Sequence, residues 1–241
     1  MRRLLKVAKT TGYTSEAELC DEFVDFARRQ GFRAYPETGD FDLLLVAGDE
    51  CPGFKPGDQV GVQAKLRPNV EVLCQSLPRG GRANAPHYYV VLVPLASDAF
   101  ESVAESLEVT PISGASVRRP GFSFRKLRWF RNENGQRCWV PDCEVEGMQG
   151  GRRGPKQLTE WKQSAIQLCL RAEAQGFLLG KDFKEKGISI ARWLSSGWIK
   201  AGEVVMHEGK RVKRYYLVLE KNPPHIKHAE VTAALRKAGL V

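Results

Sequence analysis

Residues 40–47 read Asp40-Phe41-Asp42-Leu43-Leu44-Leu45-Val46-Ala47, and residues 59–66 read Gln59-Val60-Gly61-Val62-Gln63-Ala64-Lys65-Leu66. Both are apolar runs of strand length, and each carries polar residues at one end. On a strand, alternate side chains share a face, so the pattern predicts that Gln63 and Lys65 project together and Ala64 points away. An Asp, an amide oxygen and a Lys on neighbouring strands are the parts needed to hold Mg²⁺ and activate a water against a phosphate. These two runs therefore set both the expected fold and the expected chemistry.

The flanking sequence builds a layered domain around them. Ser15 to Gln30 has helical periodicity, with Leu19, Phe23, Phe26 and Ala27 on one face. Ser15 is the expected cap, Glu18 its capping-box partner, and Gly31 the stop. Phe32 to Tyr35 reads as a short strand and Phe41 to Ala47 as a strand buried on both faces. Gly48 to Asp58 is a Pro- and Gly-rich loop. Pro68 to Leu77 reads as a helix with Val70, Leu73 and Leu77 on one side. Tyr88 to Val93 is another buried strand, and Ser97 to Leu107 another helix. Arg125 to Val140 reads as a β-hairpin with Asn134-Gly135 in its turn. Within it, Phe122 to Arg131 alternates aromatic and basic residues, either a stacking surface for nucleic acid or an amphipathic strand covering the core.

The chain has 241 residues, 27% charged and 42% hydrophobic, ordinary values for a globular protein. No apolar stretch approaches the ~20 residues of a membrane helix. Met1-Arg2-Arg3-Leu4-Leu5-Lys6 reads as neither signal peptide nor anchor. The six cysteines lack paired zinc-knuckle spacing and mostly sit in apolar surroundings. They predict reduced core thiols and a cytoplasmic location.

Net charge is +9, and it is segregated. Residues 1–148 hold 19 Lys+Arg and 20 Asp+Glu; the rest of the chain holds 18 and 8, a balance of +10. A basic, sign-segregated module points to a polyanion, most often nucleic acid. The division falls at a Gly- and Arg-rich stretch, so the expected organisation is an α/β domain over 1–148, a linker over 149–156 and a basic domain over 157–241.

The basic domain begins with a helix from about Leu158 to Ala174, expected to bury Trp161, Ala165, Leu168 and Cys169. A short helical piece follows at Lys181 to Lys186. Ser189 can cap a third helix over Ile190 to Ser196, with Ile190, Trp193 and Leu194 facing inward. Two β-runs, Glu203 to His207 and Arg211 to Leu219, are joined by Glu208-Gly209-Lys210. A last helix covers about His228 to Ala238. Three helices and a basic hairpin make a winged-helix pattern. Its expected DNA contacts are Ser189, Arg192 and Ser195 on the third helix and Lys210, Arg211, Lys213 and Arg214 on the wing. Arg67, Arg152 and Arg153 add basic groups elsewhere, and Lys156 and the Arg79–Arg82 loop extend them.

The α-β-β-β-α-β order with Asp42 and Gln63-Ala64-Lys65 resembles the PD-(D/E)XK nuclease superfamily. It is most similar to the branch in which Gln replaces the usual carboxylate, as in Mrr-like restriction endonucleases. The resemblance covers roughly residues 13–95. It implies a restriction-endonuclease-like αβββαβ mixed-sheet core followed by a winged-helix domain. It also implies a metal-dependent DNA endonuclease acting on duplex or branched DNA. Mg²⁺ or Mn²⁺ would sit on Asp42, Gln63 and the Ala64 carbonyl, with Lys65 acting on the attacking water. The superfamily often has a Glu on the helix before the first core strand, which here implies Glu22 or Glu18. Cutting both strands takes two centres, which leaves a homodimer open. Two other readings fit the same residues: a DNA-binding regulator on a degenerate nuclease fold, and a protein-interaction adaptor.

Overall fold

The computed structural model describes residues 12–77, 85–134, 137–145, 150 and 159–240. The elements of the first unit are α1 (Glu16–Arg29), β1 (Phe32–Thr38), β2 (Phe41–Ala47), β3 (Gln59–Ala64), α2 (Val70–Ser76), β4 (Tyr88–Val93), α3 (Asp98–Ser106), β5 (Thr110–Ser113) and α4 (Gly114–Val117). The strands form one mixed sheet in the order β1-β2-β3-β4-β5. β1, β2 and β3 are antiparallel neighbours, while β3–β4 and β4–β5 are parallel and joined through α2 and α3.

The sheet is buried on both faces because its central strands carry apolar residues pointing to each side. Leu43, Leu45, Val60, Val62, Val90 and Leu92 form one core with Leu19, Cys20, Phe23, Phe26 and Ala27 of α1. Leu44, Val46, Tyr89, Val91 and Val93 form the other with Val72 and Leu73 of α2 and Ala104 of α3. Ser15 caps α1, its Oγ accepting from the Glu18 N–H at 3.1 Å. Asn69 caps α2 in the same way through Val72. Val70, expected on the buried side of α2, is instead exposed, and Val72 takes its place with Leu73.

Gly39 and Asp40 join β1 to β2 with both φ values positive, the pattern of a type I′ hairpin loop. Gly61 allows a close approach on the neighbouring strand. A Cβ there would lie 2.6 Å from the Phe41 ring. Gly61→Ala is expected to cost about 1–3 kcal/mol by forcing that buried ring aside. A chemical-denaturation midpoint equal to wild type would refute this packing.

The expected β-hairpin over Arg125–Val140 is not found. Its described residues contain a single 3-10 turn (Phe124–Lys126) and no strand. Side chains hold this segment instead of a ladder. Phe124 and Trp129 enter an aromatic cluster with Phe54, Phe23 and Phe26. Arg131 binds Asp58 and the Tyr88 hydroxyl, each at 2.8 Å. Gln59 makes a reciprocal pair of hydrogen bonds with the Cys138 backbone. The alternating aromatic and basic residues thus cover the core.

Contacts assign the described residues up to Val140, together with Gly150, to the first unit and those of 141–145 and 159–240 to a second. The second unit contains α5 (Glu160–Gln175), β6 (Leu178–Leu179), α6 (Gly180–Glu185), α7 (Ile190–Ser195), β7 (Ile199–His207), β8 (Lys210–Leu217), α8 (Pro224–Lys227) and α9 (Ala229–Lys237). Pro141 and its followers group here, and the Asp142 N–H donates to Gln163 Oε1 of α5. β8 lies between β6 and β7, antiparallel to both. Trp193, Phe183, Leu168, Cys169 and Ile199 form its core. Trp161 and Leu194 were expected inside, but both are largely exposed. Four cysteines are buried and none of the six forms a disulfide. No helix among the described residues is long and apolar enough to cross a membrane.

Candidate functional site

Asp42 stands near the start of β2, one residue past Phe41, whose ring packs among Leu44, Val46 and Tyr89. Asp42 Oδ2 accepts the Ala64 N–H of β3 at 2.8 Å. β3 ends at Ala64, so strict alternation does not govern Lys65. Its ammonium reaches Glu16 of α1 at 3.2 Å. The Lys65 charge also acts on Asp42.

The electrostatics of Asp42 set opposing effects against each other. Burial pushes its carboxyl above the usual range, and Glu16 adds to that push. The Ala64 N–H and the Lys65 ammonium oppose it but do not cancel it. Cys20, on the buried face of α1, reports the same negative field. Its thiol is pushed well up, first by burial and then by Asp42, Asp21, Glu37 and Glu16. Glu37 faces this region from β1 and holds a left-handed φ of 50°, uncommon for a residue with a side chain. Gly150 lies against the same strand end, since a Cβ on it would meet the Asp42 carbonyl at 2.5 Å.

The helix carboxylate of this cluster is Glu16, and neither Glu18 nor Glu22 takes that place. Glu18 Oε2 accepts from the Thr14 N–H and hydroxyl, each at 2.7 Å, which closes the start of α1. Those bonds lower its pKa. The Ser15 backbone N–H adds to them, the pairing expected of the capping box, with Thr14 as the stronger partner. Glu22 forms a bidentate pair with Arg118, at 2.8 and 2.7 Å, and Arg118 lies 4.2 Å over the Tyr13 ring. The Arg118 bonds hold the Glu22 carboxyl low. Glu16 was legible in principle, because it sits four residues before Cys20 and so on the buried side of the helix.

Gln63 has a partner of its own. Its Nε2 donates to the Asp40 carbonyl at 2.8 Å, which directs the amide to the β1–β2 turn. Gln63 and Lys65 therefore have partners on different elements. Among the described residues, no group of three or more His, Cys, Asp and Glu is placed to hold a metal. The Glu16 charge acts on Asp42, and the Glu16 carboxylate binds Lys65. Arg67 is exposed in the loop after Lys65.

In the second unit, Ser189 caps α7, its Oγ accepting from the Arg192 N–H, while the Ser195 hydroxyl donates to the Arg192 carbonyl. The Arg192 side chain is exposed. Glu208 and Gly209 join β7 to β8 with both φ values positive, as in the first hairpin. Lys210, Arg211 and Lys213 are exposed on that hairpin. Arg214 is not, because it binds Glu203 at 3.1 Å and lies 4.3 Å over the Phe177 ring. It braces the hairpin. Arg152, Arg153, Lys156 and the Arg79–Arg82 loop lie outside the described residues.

Comparison with protein-family models, curated proteins and solved structures returns no match.

Proposed function

We propose that this chain is a metal-dependent DNA nuclease whose basic second unit is a winged-helix DNA-binding module. The observation that carries the first half is the convergence of Asp42, Lys65 and Glu16 from β2, the end of β3 and α1. The helix-then-three-strand order and the β3–β4 parallel pair support a restriction-endonuclease-like core. In this reading Asp42, the Ala64 carbonyl and Glu16 would hold Mg²⁺. Two carboxylates suffice for Mg²⁺, which keeps several waters and leans on substrate phosphate. The metal would stabilise charge building on the phosphate. Lys65 would polarise the attacking water, released from Glu16 as substrate and metal enter.

The order β6-α6-α7-β7-β8 behind α5, with β8 central, supports the winged-helix half. The exposed cations Arg192, Lys210, Arg211 and Lys213 suit phosphate contacts, which give affinity with little sequence choice.

The direct test is incubation of the protein with plasmid and Mg²⁺ or Mn²⁺. Wild type is expected to nick or linearise it, and Lys65→Ala to do so at least ~10²-fold more slowly. Equal inertness of the two on linear, nicked and branched substrates would overturn the enzymatic reading. A second reading has its own support: Lys65 is held in an ion pair with Glu16, and Gln63 faces the turn. That arrangement suits a DNA-binding regulator on a nuclease scaffold. The two separate by calorimetry, since a regulator gives no Mg²⁺ heat that Asp42→Ala removes.

A further inference from the structure

The β7–β8 hairpin carries an irregularity that decides what its outer face presents. Ala201 pairs with Tyr215, but the next described pair is Val204 with Lys213, so β7 has one extra residue there. This is a β-bulge, which re-aims the side chains beyond it. Gly202 sits in the bulge, where a Cβ would strike the Tyr216 ring. Glu203, beside it, turns to Arg214 and Tyr216.

The consequence follows from alternation. Along β8, Arg211, Lys213, Tyr215 and Leu217 share one face. Tyr215 and Leu217 pack on the helices of the core. Without the bulge, Glu203 and Val205 would continue that face on β7. With it, Val204 stands opposite Lys213 and Met206 opposite Arg211, and directly opposed residues share a face. The hairpin thus presents two apolar side chains, 52% and 66% exposed, flanked by two exposed cations and with the acid removed. α7, with exposed Arg192, packs against the same strand β7.

An apolar pair this exposed is a cost unless something covers it. The flanking cations select the occupant. Charge complementarity favours a polyanion with apolar surface between its charges, and the minor groove of duplex DNA is that: two phosphate rails around sugar and base edges. Resting on the DNA-binding reading above, we propose that Met206 and Val204 form a wedge that enters the minor groove and partly unstacks a base step, while Arg211 and Lys213, on the neighbouring strand, hold the phosphates of the adjoining rail. Apolar wedges of this kind kink DNA and favour steps that unstack easily. Pyrimidine–purine steps, above all TA, deform readily, whereas A-tracts resist. The module therefore selects deformable or already distorted duplex by its mechanical properties.

The experiment compares two short duplexes of equal length and composition in the full chain, one with central TA steps and one with an A-tract. A 2-aminopurine at the TA step reports unstacking. Wild type is expected to bind the TA duplex several-fold more tightly and to raise the fluorescence. Val204→Ser with Met206→Ser is expected to bring the ratio near one and abolish the fluorescence change, with the salt dependence intact. Arg211→Glu with Lys213→Glu is expected to do the reverse for salt, flattening the log–log slope by roughly 0.9 per lost phosphate contact. A double Ser variant that keeps the preference and the fluorescence change overturns the wedge while DNA binding stands. A double Ser variant that instead dissociates a wild-type dimer, with DNA preference unchanged, assigns the strip to self-association and overturns it too. Absence of DNA binding by wild type overturns the DNA reading itself.

Discussion

Asp42→Asn is expected to melt at a higher temperature than wild type at neutral pH while cleaving DNA at least ~10³-fold more slowly. The loss of activity follows from the carboxylate's place in the proposed centre. A metal ion stabilises transition-state charge by several kcal/mol, and each 1.36 kcal/mol is about tenfold in rate. The gain in stability follows from burial. Asp42 has a raised pKa in the folded chain because desolvation outweighs the Ala64 N–H and Lys65. A group with a raised folded pKa contributes stability that is complete below its unfolded pKa and disappears as pH rises through its folded pKa. At neutral pH the ionised carboxylate is therefore a net cost. Asparagine keeps an oxygen to accept the Ala64 N–H without the buried charge, and Lys65 keeps Glu16.

The pH profile separates this account from a generic effect. The stability difference between the two proteins should be largest at neutral pH and shrink as the wild-type carboxyl protonates in acid. Thermal melts across that window, beside Mg²⁺-dependent plasmid cleavage, check both halves. A variant that melts lower than wild type at neutral pH would remove the desolvation argument. Retained cleavage would remove Asp42 from the centre. The expected pattern, stability rising as activity falls, is a recurrent signature of functional sites, where strained or desolvated groups are retained at a cost.

The order of elements in the first unit was legible because each signal was local. Ser15 announced α1, and the apolar runs announced β2, β3 and β4. The approach of Asp42 to the end of β3 was legible as well, since antiparallel neighbours bring one strand's start beside the other's end. The helix partner was not. Glu16, Glu18 and Glu22 are all compatible with a helix start, and what distinguishes them is long-range. Arg118, 96 residues away, takes Glu22, and Thr14 takes Glu18. Gln63 lies within β3 and Lys65 one residue past its end, so alternation along the strand did not by itself fix the partners of both. Arg125–Val140 failed for a related reason. Alternating polarity marks a strand only if a neighbour supplies a ladder, and here Asp58, Gln59 and the aromatic cluster anchor the segment through side chains. In the second unit, the basic residues of the β7–β8 hairpin were readable, but the bulge at Gly202 was not. Only the register shows which of them share a face with Met206.

Trp193→Ala is expected to unfold the second unit at assay temperature and abolish DNA binding. Trp193 is among the largest fully buried side chains in the chain and contacts Phe183 and Trp198 edge-to-face at 5.4 and 5.8 Å. It belongs to α7, and its carbonyl accepts the Trp198 N–H in the turn that leads into β7. One side chain therefore positions both the helix and the hairpin proposed to meet DNA. Truncating a buried Trp costs about 3–5 kcal/mol. A unit this small has a total stability near the lower end of about 5–15 kcal/mol, so the loss consumes most of it. Each kcal/mol shifts the midpoint of such a unit by roughly 4–8 °C, which predicts a fall of tens of degrees in its transition by calorimetry. Trp193→Phe serves as the control. It retains an aromatic ring against Phe183, so it should lower the midpoint far less and preserve DNA binding. If Trp193→Ala melts within a few degrees of wild type, the second unit does not depend on this core. If Trp193→Phe is as damaging as Ala, the indole is needed for more than its volume, and α7 would be held by a contact other than the ring cluster.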